Sequence, residues 1–188
     1  MANTSIVFGL KPVRMLDGSP YTGSVDAFSC PATNATALFV GDPVKFAGSA
    51  DAAGVATVTH CAAGDTITGV VVGFTDAASM TLGYGAASTA RYALVCHGQD
   101  VLFEIQSNAA ISDVDIGLNA SIVVAAGSTF TRKSGVQLNA ATKATTIALE
   151  LKIRGVTQRP DNELGASAKL LVSLNNTTET PGTASAGL

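Results

Sequence analysis

The sequence predicts an all-β fold: a single-domain antiparallel β-barrel or jelly-roll-like sandwich over residues 28–175, with an extended N-terminal arm over 1–27 and a flexible C-terminal tail over 176–188. Three observations predict it. Short runs rich in Val, Ile, Phe and Thr, roughly ten in all, are separated by clusters of Gly, Asp, Asn and Ser, which is strand-and-turn punctuation. Helical periodicity is almost absent. One turn device occurs at both Gly41-Asp42-Pro43-Val44 and Gly64-Asp65-Thr66-Ile67. In each, Gly takes a positive φ at little steric cost, the Asp carboxylate accepts from nearby backbone N–H groups, and a strand starts just beyond.

In the arm, Phe8 to Arg14 forms a short strand. Pro12 excludes it from the centre of a sheet but allows an edge. Asp17 to Pro20 and Tyr21 to Gly23 are turn chemistry, and the large apolar anchors are Phe8, Met15, Leu16 and Tyr21. Strands are predicted at Val55–His60, Ile67–Phe74, Tyr92–Cys96 and Val101–Gln106. In the last, Val101, Phe103 and Ile105 share one face while Glu104 and Gln106 take the other. Asp76 to Thr89 reads as a long Ala/Gly/Ser loop, of the kind that is functional, mobile or ordered by a partner. Asp113 to Asn119 is a turn, Ser121–Ala126 a short strand, and Thr129 to Leu138 a hairpin around Lys133-Ser134-Gly135. The sharpest alternation runs from Ile147 to Arg154. It places Ile147, Leu149, Leu151 and Ile153 inside and Glu150, Lys152 and Arg154 outside. Gln158 to Leu164 is a polar turn, Leu164 to Ala168 one helical turn, and Lys169–Leu174 the last strand. The tail that follows has too little apolar surface to fold alone.

Charged residues make up only 13% of the 188-residue chain, against an ordinary share of about 25%, and mean hydropathy is +0.35. No apolar run approaches the ~20 residues of a membrane-spanning helix, so no membrane role is predicted. So apolar a surface is expected to be covered by other subunits, in a homo-oligomer with a trimer favoured and a dimer the alternative. Net charge is −3, and although residues 132–188 hold seven basic against four acidic side chains, no basic run occurs. That pattern excludes a nucleic-acid footprint. With no Trp and three Tyr, a stacking platform for sugars or single strands is poorly supplied.

Motifs for catalysis are missing. His60-Cys61 and Cys96-His97, with Cys30, are the only His/Cys material. Adjacent strand residues point to opposite faces, so each doublet offers one metal ligand at most. The predicted arrangement is buried thiols beside exposed imidazoles, in a chain made in a reducing cytoplasm, since Met1 to Phe8 lacks the makings of a signal peptide. The pairs Asp113/Asp115 and Asp161/Glu163 lie in turns, where carboxylates commonly cap backbone groups. The reading is of a protein that is not an enzyme and needs no metal or cofactor.

Six segments, in their order along the chain, resemble the head decoration (capsid cement) proteins of tailed bacteriophages. They are Phe8 to Gly23, Leu38 to Phe46, Ala62 to Phe74, Leu102 to Gln106, Asp115 to Ala120 and Arg159 to Gly165. The resemblance implies a β-rich virion protein on the outer surface of the icosahedral capsid, made in the host cytoplasm. Its implied partners are the major capsid protein and copies of itself. On this view Phe8, Lys11, Arg14, Tyr21, Arg159, Asp161 and Glu163 are the expected partner-binding residues, with the arm docking across a subunit boundary. The rival expectation is a tail-associated or surface-exposed carbohydrate- or receptor-binding module, which the scarcity of aromatics disfavours.

Overall fold

The structure is a computed structural model that describes residues 3–98, 100–178 and 186–187. The chain first lays down β1 (Lys11–Met15), an end strand, then β2 (Asp26–Cys30), β3 (Pro43–Ala50), β4 (Ala56–His60), β5 (Gly69–Phe74) and β6 (Arg91–Cys96). The last five close into a barrel in the order β2-β4-β3-β5-β6. Its pairings are antiparallel except that of β2 with β4. β7 (Val101–Gln106), β8 (Asn119–Ala120), β11 (Leu151–Val156) and β12 (Lys169–Leu174) then complete an open antiparallel sheet in the order β1-β7-β12-β11-β8. A small ribbon pairs β9 (Ile122–Val123) with β10 (Gln137–Leu138).

The protein is therefore all-β. The two lobes share a wall because strands alternate their faces. On β5, Val71 points into the barrel core beside Val44, Val58 and Val95, while Val70 points into the larger core beside Phe103, Ile153 and Leu170. β6 does the same, with Ala93 and Val95 in the barrel and Cys96 outside it.

Other expectations are corrected. The strand predicted from Ile147 starts at Leu151: Ile147 is 55% exposed, Leu149 is half-buried, and only Leu151 and Ile153 reach the core. Glu150, expected outside, is fully buried because the barrel and the ribbon cover it; its Oε1 accepts from Gly64 N and Ser121 Oγ. Lys152 is buried too, donating Nζ to Ala186 O. The loop from Asp76 contains a short helix, α1 (Ala77–Leu82). Asp76 caps it by accepting from Ser79 N, and Gly83 ends it at φ 76°. No hairpin spans Thr129 to Leu138: a Ser128–Lys133 bridge closes a tight turn, and Gln137 and Leu138 pair with β9 instead. Leu164 to Ala168 is a turn, not helical, with Ser167 at φ 55°.

The arm, expected to cross a subunit boundary, is fastened to its own domain. Pro12 does sit on an edge strand, β1, which pairs with β7 and whose Arg14 is bridged to Pro20 on the other side. Of the predicted tail, 179–185 and 188 lie outside the described residues. Thr178 N donates to Ile67 O, and Gly187 N donates to Thr145 O.

Candidate interaction surface

The arm reaches the sheet by crossing the first Gly-Asp turn. Gly9 (φ 73°) and Gly41 (φ 97°) meet backbone to backbone, and a Cβ on either would collide with the other segment. Leu10 N donates to Gly41 O at 2.9 Å, and the Leu10 side chain enters the core at 1% exposure. Beside this crossing opens a groove of about 500 Å³. Its walls are Phe8, Leu10 and Pro12 from the arm, Tyr21 and Val25 from the next turn, and Val40, Val71 and Val72 from the barrel, with Lys11 and Lys133 among them. Tyr21 donates its hydroxyl to Ser24 O, and burial pushes its pKa up.

The groove gathers three of the seven predicted partner residues, Phe8, Lys11 and Tyr21. Arg14 lies further along β1, opposite Leu102, exposed and off the groove. Arg159, Asp161 and Glu163 form a separate group. Arg159 Nη2 stands 3.1 Å from the buried Glu104 Oε1, and its Nε 3.4 Å from Asp161 Oδ1. The Glu163 backbone exchanges hydrogen bonds with the Asn3 side chain, at 2.9 Å and 2.8 Å. This second group thus helps fasten the N-terminal segment. The fastening continues through Lys169 Nζ to Thr4 O (2.8 Å) and Ile6 N to Gln106 Oε1 (2.7 Å).

No family model, curated protein or solved structure matches the chain.

The residues singled out for chemistry make the following contacts. His60, expected exposed, has a side chain only 10% exposed. Its Nδ1 donates to Cys61 O at 2.7 Å, and its Nε2 lies 3.4 Å from Asp42 Oδ1. Burial opposes a charge on the ring, but the Asp42 hydrogen bond and charge, with the Cys61 carbonyl, outweigh it and raise the pKa. His97 Nε2 meets Asp26 Oδ2. Cys30, Cys61 and Cys96 are free and buried as expected, and burial pushes each thiol pKa up, away from the reactive thiolate. Among the described residues, no three His, Cys, Asp or Glu side chains gather in a metal-binding set. Asp115 accepts from Ser112 N (2.8 Å) and from Lys143 Nζ (2.6 Å); burial works against its charge, yet these bonds hold its pKa below the ordinary value.

Sequence reasoning missed Val40, Val72 and Lys133 as groove residues. They come from three distant segments, and no local pattern marks their meeting. The alternation of β7 does aim Glu104 and Gln106 away from Phe103 and Ile105; what covers them is not written in that alternation.

Proposed function

We propose that this chain is a structural virion protein, not an enzyme, that binds the outer surface of an icosahedral phage head and cements adjacent capsomers. Its partners are the major capsid protein and further copies of itself, with a trimer favoured. The setting comes from the ordered resemblance to head decoration proteins. The structural observation that carries the reading is Phe130, 94% exposed on the turn closed by the Ser128–Lys133 bridge. An aromatic held in water adds nothing to its own chain's core, and burying it in a partner gains about 1.5–3 kcal/mol. Val114 at 76% and Met80 at 63% exposure extend the same logic on a surface poor in charge.

The test is to mix the purified protein with heads lacking it, then measure cosedimentation and the temperature at which the heads rupture. Binding with a raised rupture temperature, weakened in Phe130→Ser, is expected. Protein left in the supernatant with heads no more robust would sink the reading, and binding to tails alone would point to the adhesion module instead.

A further inference from the structure

We infer that the groove between β1 and the barrel receives an extended acidic segment of a partner protein, gripped by apolar walls and two lysines. The inference rests on the proposed function for the source of that segment, the coat protein. Three observations carry it.

The first is chemical composition. Phe8, Leu10, Pro12, Val40 and Val72 make the walls apolar, and about 500 Å³ is room for two or three aliphatic side chains but too little for a folded domain. Such a site gains by taking apolar side chains out of water.

The second is charge. Lys11 and Lys133 are exposed and both reach the groove, yet no carboxylate among the described residues pairs with either. Lys11 stands opposite Glu104 across β1 and β7, but Glu104 is taken by Arg159. In a chain of net charge −3, two cations left unpaired at one apolar groove ask for an anionic occupant. Mostly aliphatic walls, with Phe8 and Tyr21 as the two aromatics, suit carboxylates carried on an apolar peptide better than they suit a nucleic-acid backbone.

The third is shape. β1 ends its sheet, and on its outer side Arg14 is bridged to Pro20 while Lys11–Val13 pair with no second strand among the described residues. A segment lying along it can use main-chain bonds there and set alternate side chains into the groove. Pro12 removes one donor, which limits the edge to a short partner and protects it from unlimited strand addition.

The experiment uses the full chain and a fluorescein-labelled, capped peptide of about six residues that alternates Asp with Val and Ile. A second peptide has Lys in place of Asp. Fluorescence anisotropy should show binding of the acidic peptide only, weakening as salt rises. Lys11→Glu with Lys133→Glu should weaken it about tenfold or more, and Lys11→Arg with Lys133→Arg should keep it within about twofold. Both lysines are exposed, so the thermal midpoint should not move; if the Glu pair fails to fold, the salt response and the basic peptide still decide. Equal binding of both peptides, no binding of either, or full binding by the Glu pair overturns the inference. If wild-type protein still decorates heads in that case, the proposed function survives and only the groove assignment falls. Acidic-peptide binding without head binding does the reverse: the groove chemistry stands and the capsid as its source is overturned.

Discussion

The barrel and the open sheet treat their outer faces differently. In the sheet, all six residues of β7 are buried, and so are five of six in β12. In the barrel, β3 begins buried at Pro43 and Val44 and is exposed from Phe46 to Ala50. The sheet's second face is not apolar. It carries Glu104, Gln106, Lys169 and Ser173, each nine-tenths or more buried. They are tolerated because partners reach them: Thr4, Ile6 and Arg159 from segments that lie across the sheet, and Arg154 from the neighbouring strand β11. A buried polar group costs little when bonded and much when stripped of its partner. The barrel's apolar core of Val, Ala, Cys, Leu and Phe is enclosed by closure itself, and its buried charge, Arg91, is met by the loop carbonyls of Thr36 and Thr89. Alternation thus predicts which way a side chain points, while burial depends on what crosses over it.

The largest effect should come from the shared core. Phe103 is fully buried in the middle of the sheet, and Phe103→Ala should cost about 3–5 kcal/mol in urea unfolding. Phe46→Ala, on the exposed part of β3 with an edge contact to Phe28, should cost less, about 0.5–1.5 kcal/mol. Because Val70 and Cys96 tie barrel strands into that core, circular dichroism and tyrosine fluorescence should report one transition. Two separated transitions, or equal costs for the two Phe variants, would dissolve the comparison.

A smaller effect is expected at the junction. Glu150→Ala removes the acceptor for Gly64 N and Ser121 Oγ and should cost about 1–3 kcal/mol. Asp161→Ala, at an exposed carboxylate paired only with Arg159, serves as the control and should change stability by less than about 1 kcal/mol. If the two match under the same urea titration, the lobes are not latched through Glu150.

The smallest effects should separate the lobes by pH. The raised pKa of His60, in the barrel, means that its contribution is full below 6.5 and is lost as pH rises through the raised value. The lowered pKa of Asp115, beside the sheet, means the reverse: its contribution is present above 3.8 and is lost as pH falls through the lowered value. Urea midpoints over about pH 3 to 9 should therefore show the gap between wild type and His60→Asn shrinking on the alkaline side, and the gap to Asp115→Asn closing on the acid side. Gaps that ignore pH would show that neither ion pair stabilises its lobe.

The features legible in the sequence are those set by a few neighbouring residues. Gly41 and Gly64 take φ of 97° and 91°, and Asp42 and Asp65 each accept a backbone N–H from three residues back, at 2.7 Å. A small side chain and a short carboxylate fix such turns without outside help. β7 and β12 begin and end where alternation and punctuation place them, and the three cysteines are buried as free thiols. Other features depended on segments brought together in space. Closure of the barrel through a parallel contact of β2 with β4, burial of Glu150 and Lys152, and the fastening of Asn3 to Glu163 across 160 residues are of this kind. So is the groove, where Phe8, Lys11 and Tyr21 meet Val40, Val72 and Lys133. The local pattern at each of these residues specifies a direction relative to its own strand. Which partner stands in that direction is decided only when distant strands pair and pack.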